Sequence, residues 1–316
     1  MAAFESSEIL SADQRKEKIK LIALDLDGTT LNSHHSLSAA TKQALQHLSQ
    51  RGVIVCLATG RSSNSVIPYI TELSLPQPIV PVVCFNGCRA LLVDNTSTST
   101  EPKVSTALSF PHSEASTRIL LRFAAERNLL AQYYNGETGD VMICPTESSH
   151  VELAGRYAGL VGKPQTVLTS FDDAIATCLP QKLLVFVDES RVDWLIAEAA
   201  AHLPADTFHV IRGSPFPFFV EFLPFGACKG ECVRQLCATL GVEMSAVAAF
   251  GDGDNNIEML QVAGCGVAMR NAKQVTKDAA DIVIEVFFVC FCIIFILILV
   301  PCYACFVPCY ALVVKR

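Results

Sequence analysis

The segment Asp25-Leu26-Asp27-Gly28-Thr29 places two carboxylates at the end of the aliphatic run KLIAL. Such a run predicts a buried parallel strand, and ligands of open α/β sheets bind beyond the carboxyl ends of such strands. A carboxylate nucleophile needs a neighbouring acid, which protonates the leaving alkoxide and later deprotonates the attacking water. The spacing of the two aspartates is therefore typical of covalent catalysis by a carboxylate, and a solvated acidic turn is the alternative.

Three further features occur at the ends of predicted strands or the start of a predicted helix. Thr59 follows the apolar run VIVCLA, Lys229 begins a helix, and the acidic motif GDGDNN at 251–256 follows the run AVAAF. A hydroxyl and an ammonium can hold phosphoryl oxygens, and carboxylates are ligands that Mg²⁺ accepts. Each feature is common when it occurs alone, but their order at the strand ends of one sheet is specific for phosphoryl chemistry.

Two kinds of pattern divide the chain. Strands alternate with helices in short spacing at 20–87 and again at 223–285, which predicts a doubly wound, Rossmann-like parallel sheet. Residues 88–222 mix helices with hairpin-type strands and are predicted to form an inserted α+β cap, while 1–19 read as a lead-in. Core strands are predicted at 20–27, 53–58, 81–85, 246–250 and 282–284, and core helices at 38–50 with Ser38 as N-cap, before Leu73, at 228–240 and at 255–262; cap elements are predicted at 113–128, 131–134, 140–144, 147–160, 189–202 and 216–222.

Composition limits the classes of partner. The 316 residues carry a net charge of −7, so the chain lacks the excess of basic residues that is typical of nucleic-acid-binding proteins. The first residues contain neither an apolar run nor an arginine-rich leader, and we expect a cytoplasmic protein. The uncharged, apolar segment 286–314 is long enough for a hydrocarbon layer of ~30 Å. Residues 286–316 are therefore predicted to be a membrane anchor or an aberrant C-terminus from a gene-model error.

Over about residues 20–285, the four motifs resemble the haloacid dehalogenase superfamily, and within it the Cof-type phosphatases that carry a large α+β cap. The resemblance implies that Asp25 is the nucleophile and Asp27 the general acid and base. It also implies that Thr59, Gly60 and Lys229 bind the transferring phosphate. Finally, the resemblance implies that Asn255 orients the phosphate or Lys229.

The resemblance further implies a magnesium site. Asp252 is expected to complete it with the Asp25 carboxylate and the backbone carbonyl of Asp27. One departure lies beside this site, because the family usually reads GDGxND and Asn256 stands where an aspartate is common. An amide oxygen can still accept hydrogen bonds, so we expect weaker metal affinity rather than inactivity.

The expected activity is Mg²⁺-dependent hydrolysis of small phosphate monoesters, such as sugar phosphates or related metabolites. An acid at position 27 is typical of enzymes acting on phosphate esters, and a large cap excludes bulky substrates. Alternatives are a phosphomannomutase-like phosphotransferase and a catalytically weak, membrane-tethered binding protein. Among lesser candidates, Arg61 is a hypothetical contact for an anionic substrate, His34 and His35 favour a solvated loop, and Tyr133 favours packing in the cap.

Overall fold

The computed structural model describes residues 19–96, 102–213 and 218–284, together with the backbone of 312–314. The strands are β1 (Leu21–Leu24), β2 (Ile54–Ala58), β3 (Ile79–Cys84), β4 (Arg89–Asp94), β5 (Lys103–Ser109), β6 (Ala131–Asn135), β7 (Val141–Ile143), β8 (Thr166–Val167), β9 (Pro180–Phe186), β10 (Phe208–Arg212), β11 (Phe219–Pro224), β12 (Val247–Gly251), β13 (Cys265–Ala268), β14 (Ile282–Ile284) and β15 (Leu312–Val314). The helices are α1 (Ala39–Gln50), α2 (Ser63–Leu73), α3 (Glu114–Glu126), α4 (Ser148–Val161), α5 (Asp172–Thr177), α6 (Val192–His202), α7 (Lys229–Thr239), α8 (Ile257–Val262) and α9 (Gln274–Asp278).

The first sheet has the strand order β15-β14-β13-β12-β1-β2-β3-β4-β5. Six neighbouring strands run parallel, namely β14, β13, β12, β1, β2 and β3. Strand β1 is buried on both faces, because Ile22 and Leu24 join one apolar cluster with α1 and α2, whereas Leu21 and Ala23 join another with α7 and α8. Helices on both faces explain why the strand sequences are continuously apolar rather than alternating. The predicted doubly wound α/β core is confirmed.

Local sequence signals fix the helix that follows the first strand. The hydroxyl of Ser38 accepts a hydrogen bond from the backbone N–H of Thr41 at 3.0 Å, and α1 begins at Ala39. This contact satisfies one of the donors that a helix start leaves unpaired. The buried positions Leu45 and Leu48 then lie on the face that packs against the sheet. The N-cap predicted from the sequence is therefore confirmed.

The second sheet belongs to the cap and has the order β10-β11-β9-β6-β7-β8. Helices α3, α5 and α6 cover one face through a separate apolar cluster that includes Tyr133. The neighbouring residue Tyr134 points the opposite way and joins the core cluster together with Tyr157 of α4. Successive residues of a strand face opposite sides, so one face of β6 packs against the cap helices and the other faces the core domain.

The cap differs in extent from the sequence-based division at residue 88. Strands β4 and β5 extend the first sheet in antiparallel fashion, so the second sheet starts only at β6. A single short 3-10 turn, Phe85–Gly87, joins β3 to β4, and no α-helix intervenes. The strand–helix alternation that marks the core in the sequence therefore stops before the core sheet does.

The C-terminal segment is described only in part. The backbone of β15 pairs antiparallel with β14, with Leu312 opposite Ile284. The remaining residues of the predicted anchor, 286–311 and 315–316, lie outside the described residues, as do residues 1–18 of the predicted lead-in 1–19. In the parts of the chain that the structure describes, no helix has the length and apolar character needed to cross a membrane.

His112 lies where the chain passes from the core sheet into the cap, and only 1% of it is exposed. Its Nε2 lies 3.0 Å from the carbonyl oxygen of Phe222, and its Nδ1 has no hydrogen-bond partner. Burial lowers the pKa of His112 to about 4, against a weaker opposing effect of the Phe222 carbonyl. The imidazole is therefore neutral in the folded protein at neutral pH.

We expect the free energy of unfolding to fall as the pH falls from about 6.5 to 4, because the unfolded chain then binds a proton that the folded chain refuses. A pKa difference of about two and a half units corresponds to about 3 kcal/mol. His112→Gln keeps a donor for Phe222 but cannot titrate, so its urea-unfolding free energy should depend less on pH in this window. His34→Gln, at an exposed histidine, is the control. Parallel profiles for wild type and His112→Gln would contradict the prediction.

Candidate active site

The order β12-β1-β2 brings the sequence motifs to one edge of the sheet. These strands are parallel, with Leu24 opposite both Phe250 and Leu57. Asp25, Asp252 and Thr59 follow the last residues of the three strands, so all of them lie at the carboxyl edge. The position agrees with the general rule for ligand sites in open α/β sheets.

A tight turn shapes the chain after β1. The carboxylate of Asp25 accepts a hydrogen bond from the N–H of Leu26 at 2.8 Å, and Thr30 donates its hydroxyl to the carbonyl of Asp25 at 2.5 Å. Gly28 has φ of +75°, and a Cβ built there would lie 2.0 Å from Oδ2 of Asp252. Glycine is therefore required both by the backbone conformation and by the approach of Asp252.

A buried triangle holds the carboxylate of Asp25. The ammonium of Lys229 donates to Oδ1 of Asp25 at 2.8 Å and to Oδ1 of Asn256 at 3.0 Å. The amide of Asn256 donates to Oδ2 of Asp25 at 3.0 Å. At most 5% of each of the three residues is exposed. Both oxygens of Asp25 thus have fixed partners, and the position of the carboxylate is determined.

Asp252 lies beside this triangle. It accepts hydrogen bonds from the hydroxyl of Thr29 at 3.0 Å and from the amide of Asn271 at 2.7 Å. Burial, followed by the negative charge of Asp25, raises the pKa of Asp252 to about 7. When both acids are ionised, the two carboxylates and the single ammonium of Lys229 sum to one negative charge, which a cation would stabilise.

This arrangement fits a magnesium ion. Mg²⁺ commonly takes one or two carboxylates and completes its shell with other oxygens and water. Asp25 and Asp252 supply two carboxylates, and the carbonyl of Asp27 follows in the same turn. In the described ranges no group of three or more His, Cys, Asp or Glu side chains is placed to hold a metal ion.

Asp27 faces a different set of groups. Arg61 binds both of its oxygens, through Nε at 2.7 Å and Nη2 at 2.5 Å, and Nδ1 of His35 lies 2.9 Å from Oδ1. Burial by itself would raise the pKa of Asp27, but the hydrogen bonds and charges of Arg61 and His35 outweigh it, so this pKa lies below its usual range. The hydroxyl of Tyr69 connects Arg61 with His35, because it accepts a hydrogen bond from the guanidinium of Arg61 and donates one to the backbone carbonyl of His35.

These contacts bear on two sequence-based hypotheses. Arg61 was a hypothetical substrate contact, but in this structure its guanidinium binds Asp27. His35 lies in an exposed loop as expected, with 63% of its side chain exposed, and its ring in addition contacts Asp27. The sequence carries no periodicity that would bring His35 or Arg61 to this carboxylate, because both contacts depend on loop conformation.

Thr59 and Gly60 lie against the cap. Thr59 is 1% exposed, and its hydroxyl accepts from the N–H of Arg61 at 3.1 Å. The carbonyl of Gly60 accepts from the ammonium of Lys182, on cap strand β9, at 3.2 Å. The cap therefore contacts the core within one residue of the threonine that was predicted to bind phosphate.

Asn255 contacts other amides rather than the lysine. It donates to Oδ1 of Asn86 at 2.8 Å and accepts from Asn256 at 3.1 Å. The residue that binds Lys229 is Asn256, so the expected contact between Asn255 and Lys229 is absent from the described hydrogen bonds.

Three residues near this edge were missed by sequence reasoning. Asn86 donates to Oε2 of Glu221 at 2.8 Å, and Lys182 donates to Oε1 of Glu221 at 3.1 Å. Lys182 is buried and Glu221 partly buried, with 12% of its side chain exposed, on the face of the cap sheet that approaches the core. A usable signal existed, because each is a single charge within an apolar run, KLLVF or FFVEF, and such a charge requires a partner.

A doubly wound core, a cap sheet packed over its strand ends and a buried Asp–Lys pair beside a second carboxylate together describe a capped enzyme of the α/β class. Known proteins share these features. The family model of haloacid dehalogenase-like hydrolases matches residues 22–286.

Individual relatives agree with the family match. The chain is 30% identical over 265 residues to the putative phosphatase YxeH of Bacillus subtilis, covering 83% of this chain and 91% of that protein. It is 28% identical over 273 residues to the 5-amino-6-(5-phospho-D-ribitylamino)uracil phosphatase YitU of the same organism, covering 83% and 90%. A haloacid dehalogenase-like hydrolase structure from Bacteroides thetaiotaomicron superposes with a TM-score of 0.73 at 26% identity, covering 88% of this chain and 100% of that one. The chain belongs to the haloacid dehalogenase-like hydrolases and is a phosphatase of that family.

Gly28→Ala tests the packing of the turn against Asp252. The new methyl group would overlap Oδ2 of Asp252 at a positive φ, so we expect a loss of about 1–3 kcal/mol in the free energy of unfolding and at least a tenfold loss of turnover. Gly155→Ala in α4 is the control, since a Cβ there meets nothing within 4 Å and should leave stability unchanged or higher. Urea unfolding and a phosphatase assay measure both. Equal effects of the two substitutions would refute the packing argument.

Proposed function

We propose that this chain hydrolyses small phosphate monoesters through a phosphorylated Asp25, with Mg²⁺ bound beside it. The observation that carries the proposal is the carboxylate of Asp25, which is buried, held at both oxygens by Lys229 and Asn256, and adjacent to Asp252. A carboxylate fixed in this way is oriented for in-line attack.

The reaction proceeds in two displacements. An oxygen of Asp25 forms a bond to phosphorus while the bond from phosphorus to the leaving oxygen breaks, and Asp27 gives its proton to that oxygen. Water then attacks the phosphorus, Asp27 takes the proton of the water, and the bond to Asp25 breaks to release phosphate. The aspartate pair is restored at the end of the cycle.

The other predicted residues hold the phosphoryl group. The hydroxyl of Thr59, the backbone at Gly60 and the ammonium of Lys229 can donate to its oxygens, while Asn255 acts nearby through Asn256. Asp25, Asp252 and the carbonyl of Asp27 would hold Mg²⁺, which supplies positive charge against the phosphoryl oxygens.

The general-acid role sets a condition on Asp27. Arg61 favours the charged carboxylate of Asp27, whereas protonation of a leaving group requires the neutral acid. Asp27 must therefore part from Arg61 during the cycle. The guanidinium that is released lies at the same edge and becomes free to bind an anionic part of the substrate.

The substrate class follows from the cap. Its polar groups on the side of the core include the buried Lys182 and Gln132 and the partly buried Glu221, so a substrate has to fit between the two sheets. Small phosphorylated metabolites satisfy this limit, and YitU, whose name gives a phosphorylated ribitylaminouracil as its substrate, is one such relative. A panel of phosphorylated sugars and metabolites, read by phosphate release, identifies the substrate; conversion between hexose phosphates without phosphate release would instead indicate a mutase.

Asp25→Asn tests the nucleophile. An amide cannot form the acyl phosphate, so turnover of an aryl phosphate should fall by roughly a thousandfold or more while the fold remains intact. Acid-quenched wild type should carry a phosphate on Asp25, as mass spectrometry of its peptides can show. Asp254→Asn, at an exposed acid of the GDGDNN motif, is the matched control and should stay active. Activity above a few per cent in Asp25→Asn would rule out covalent catalysis.

Mg²⁺ binding can be measured without turnover. At about ten times its dissociation constant, Mg²⁺ should raise the unfolding free energy of the wild type by about 1.4 kcal/mol, and chelator should abolish activity. Asp252→Asn removes the charge that Asp25 repels, so the metal-free variant should be at least as stable as wild type but gain nothing from Mg²⁺. A Mg²⁺-dependent rise in its melting temperature would show that Asp252 does not bind the ion.

A further inference from the structure

Three asparagine side chains lie in series between the two domains. The amide of Asn256 donates to Asn255 at 3.1 Å, and Asn255 donates to Asn86 at 2.8 Å. Asn86 donates to Glu221, on cap strand β11, at 2.8 Å. At the other end, Asn256 binds both Lys229 and Asp25. We propose that Asn256, Asn255 and Asn86 are positioning residues, which form an amide relay that couples the docking of the cap to the orientation of the Asp25 carboxylate; this inference rests on the proposed function of Asp25.

Charges at both ends give the relay one direction. The carbonyl oxygen of Asn256 faces the ammonium of Lys229, and the amino group of Asn86 faces the carboxylate of Glu221. Turning any amide over would place a donor against a donor or an acceptor against an acceptor. Each amide is therefore polarised in the same sense, which strengthens its neighbours in a low-dielectric environment.

Glycines make room for the relay. A Cβ on Gly60 would lie 2.8 Å from Oδ1 of Asn86, and one on Gly253 would lie 2.5 Å from Oδ1 of Asn255. A Cβ on Gly251 would lie 2.5 Å from the Cβ of Asn256. Close approach to an asparagine of the relay thus accounts for Gly60, which follows Thr59, and for both glycines of the GDGDNN motif.

The relay depends on an amide at position 256. Aspartate there could still accept from Lys229, but it would present an acceptor to Oδ2 of Asp25 and to the carbonyl oxygen of Asn255. Asn256 is also 0% exposed, so water cannot supply the missing donor. The departure from the family pattern at this position therefore has a structural use in this chain.

The cap end of the relay is equally constrained. Glu221 accepts from Asn86 with one oxygen and from Lys182 with the other, and Lys182 also donates to the carbonyl of Gly60. Lys182 and Glu221 pair with each other inside the cap sheet, and docking of β9 and β11 on the core adds Gly60 as a partner of Lys182 and Asn86 as a partner of Glu221. Docking of the cap thus supplies the carboxylate that the amide of Asn86 binds.

Reversal of the relay provides the test. Asn256→Asp can only accept, so Asn255 and Asn86 would turn over, and Asn86 would face Glu221 with its carbonyl oxygen. Glu221→Gln alone leaves Lys182 and Asn86 competing for one acceptor oxygen. In the double variant the new glutamine donates to Asn86 and accepts from Lys182, and the total charge of the site is preserved. The expected signature is rescue, in which the second substitution repairs part of the damage of the first.

The measurements are kcat and KM for p-nitrophenyl phosphate at saturating Mg²⁺, together with unfolding free energies. We expect each single variant to lose about tenfold or more in kcat with little change in KM, and the double variant to be at least tenfold faster than the product of the two losses. Glu72→Gln and Asn128→Asp, at surface positions of core and cap, should show no such coupling.

Two results would overturn the inference. Losses in unfolding free energy that simply add in the double variant would mean that the three asparagines act independently. Coupling in unfolding free energy with kcat unaffected would mean that the chain of amides is structural and positions nothing. A wild type that hydrolyses no phosphate ester would contradict the proposed function, whereas additive unfolding free energies alone would still overturn the relay.

Discussion

The buried ion pair between Lys229 and Asp25 is the interaction on which the rest of the site depends. Taking two charges out of water costs several kcal/mol for each ion, and the pair persists only if the remaining donors and acceptors are satisfied. The N–H of Leu26 and the amide of Asn256 meet that condition at Asp25. The motifs around them are therefore a single electrostatic unit rather than separate contributions to a pocket.

One lysine does not balance two carboxylates. Asp252 lies close enough to Asp25 for their repulsion to raise its pKa, and Gly28 is the residue that permits this approach. The fold holds the two acids together by backbone geometry, through parallel strand ends and a glycine turn, although their charges oppose it. A site that is under such repulsion when empty gains more from a divalent cation than one whose charges already cancel.

The sequence predicts this unit well because strand ends are readable. An aliphatic run followed by Asp25, Thr59 or Asp252 places each residue at the carboxyl edge without knowledge of distances, and the parallel core and the Ser38 cap also follow from local pattern. The contacts between the cap and the core do not follow from local sequence pattern. Glu221 and Lys182 meet Asn86 and Gly60 only after two sheets have packed, and no local periodicity encodes that packing. The antiparallel strands β4 and β5 were missed for a similar reason, since a turn replaced the helix that marks the core.

Asp25 and Asp27 illustrate how one short motif acquires two environments. Asp25 is enclosed by Lys229 and Asn256 and cannot move without breaking the buried pair. Asp27, two residues later, is 43% exposed in its side chain and is bound by Arg61 and His35, which lie on loops. In the proposed mechanism, rigidity suits Asp25, which would hold a fixed line of attack, and freedom suits Asp27, which would exchange protons with a leaving group and then with water. Only Leu26 separates the two acids along the chain, and the turn at Gly28 follows directly after Asp27, so two different environments arise within three residues of one motif.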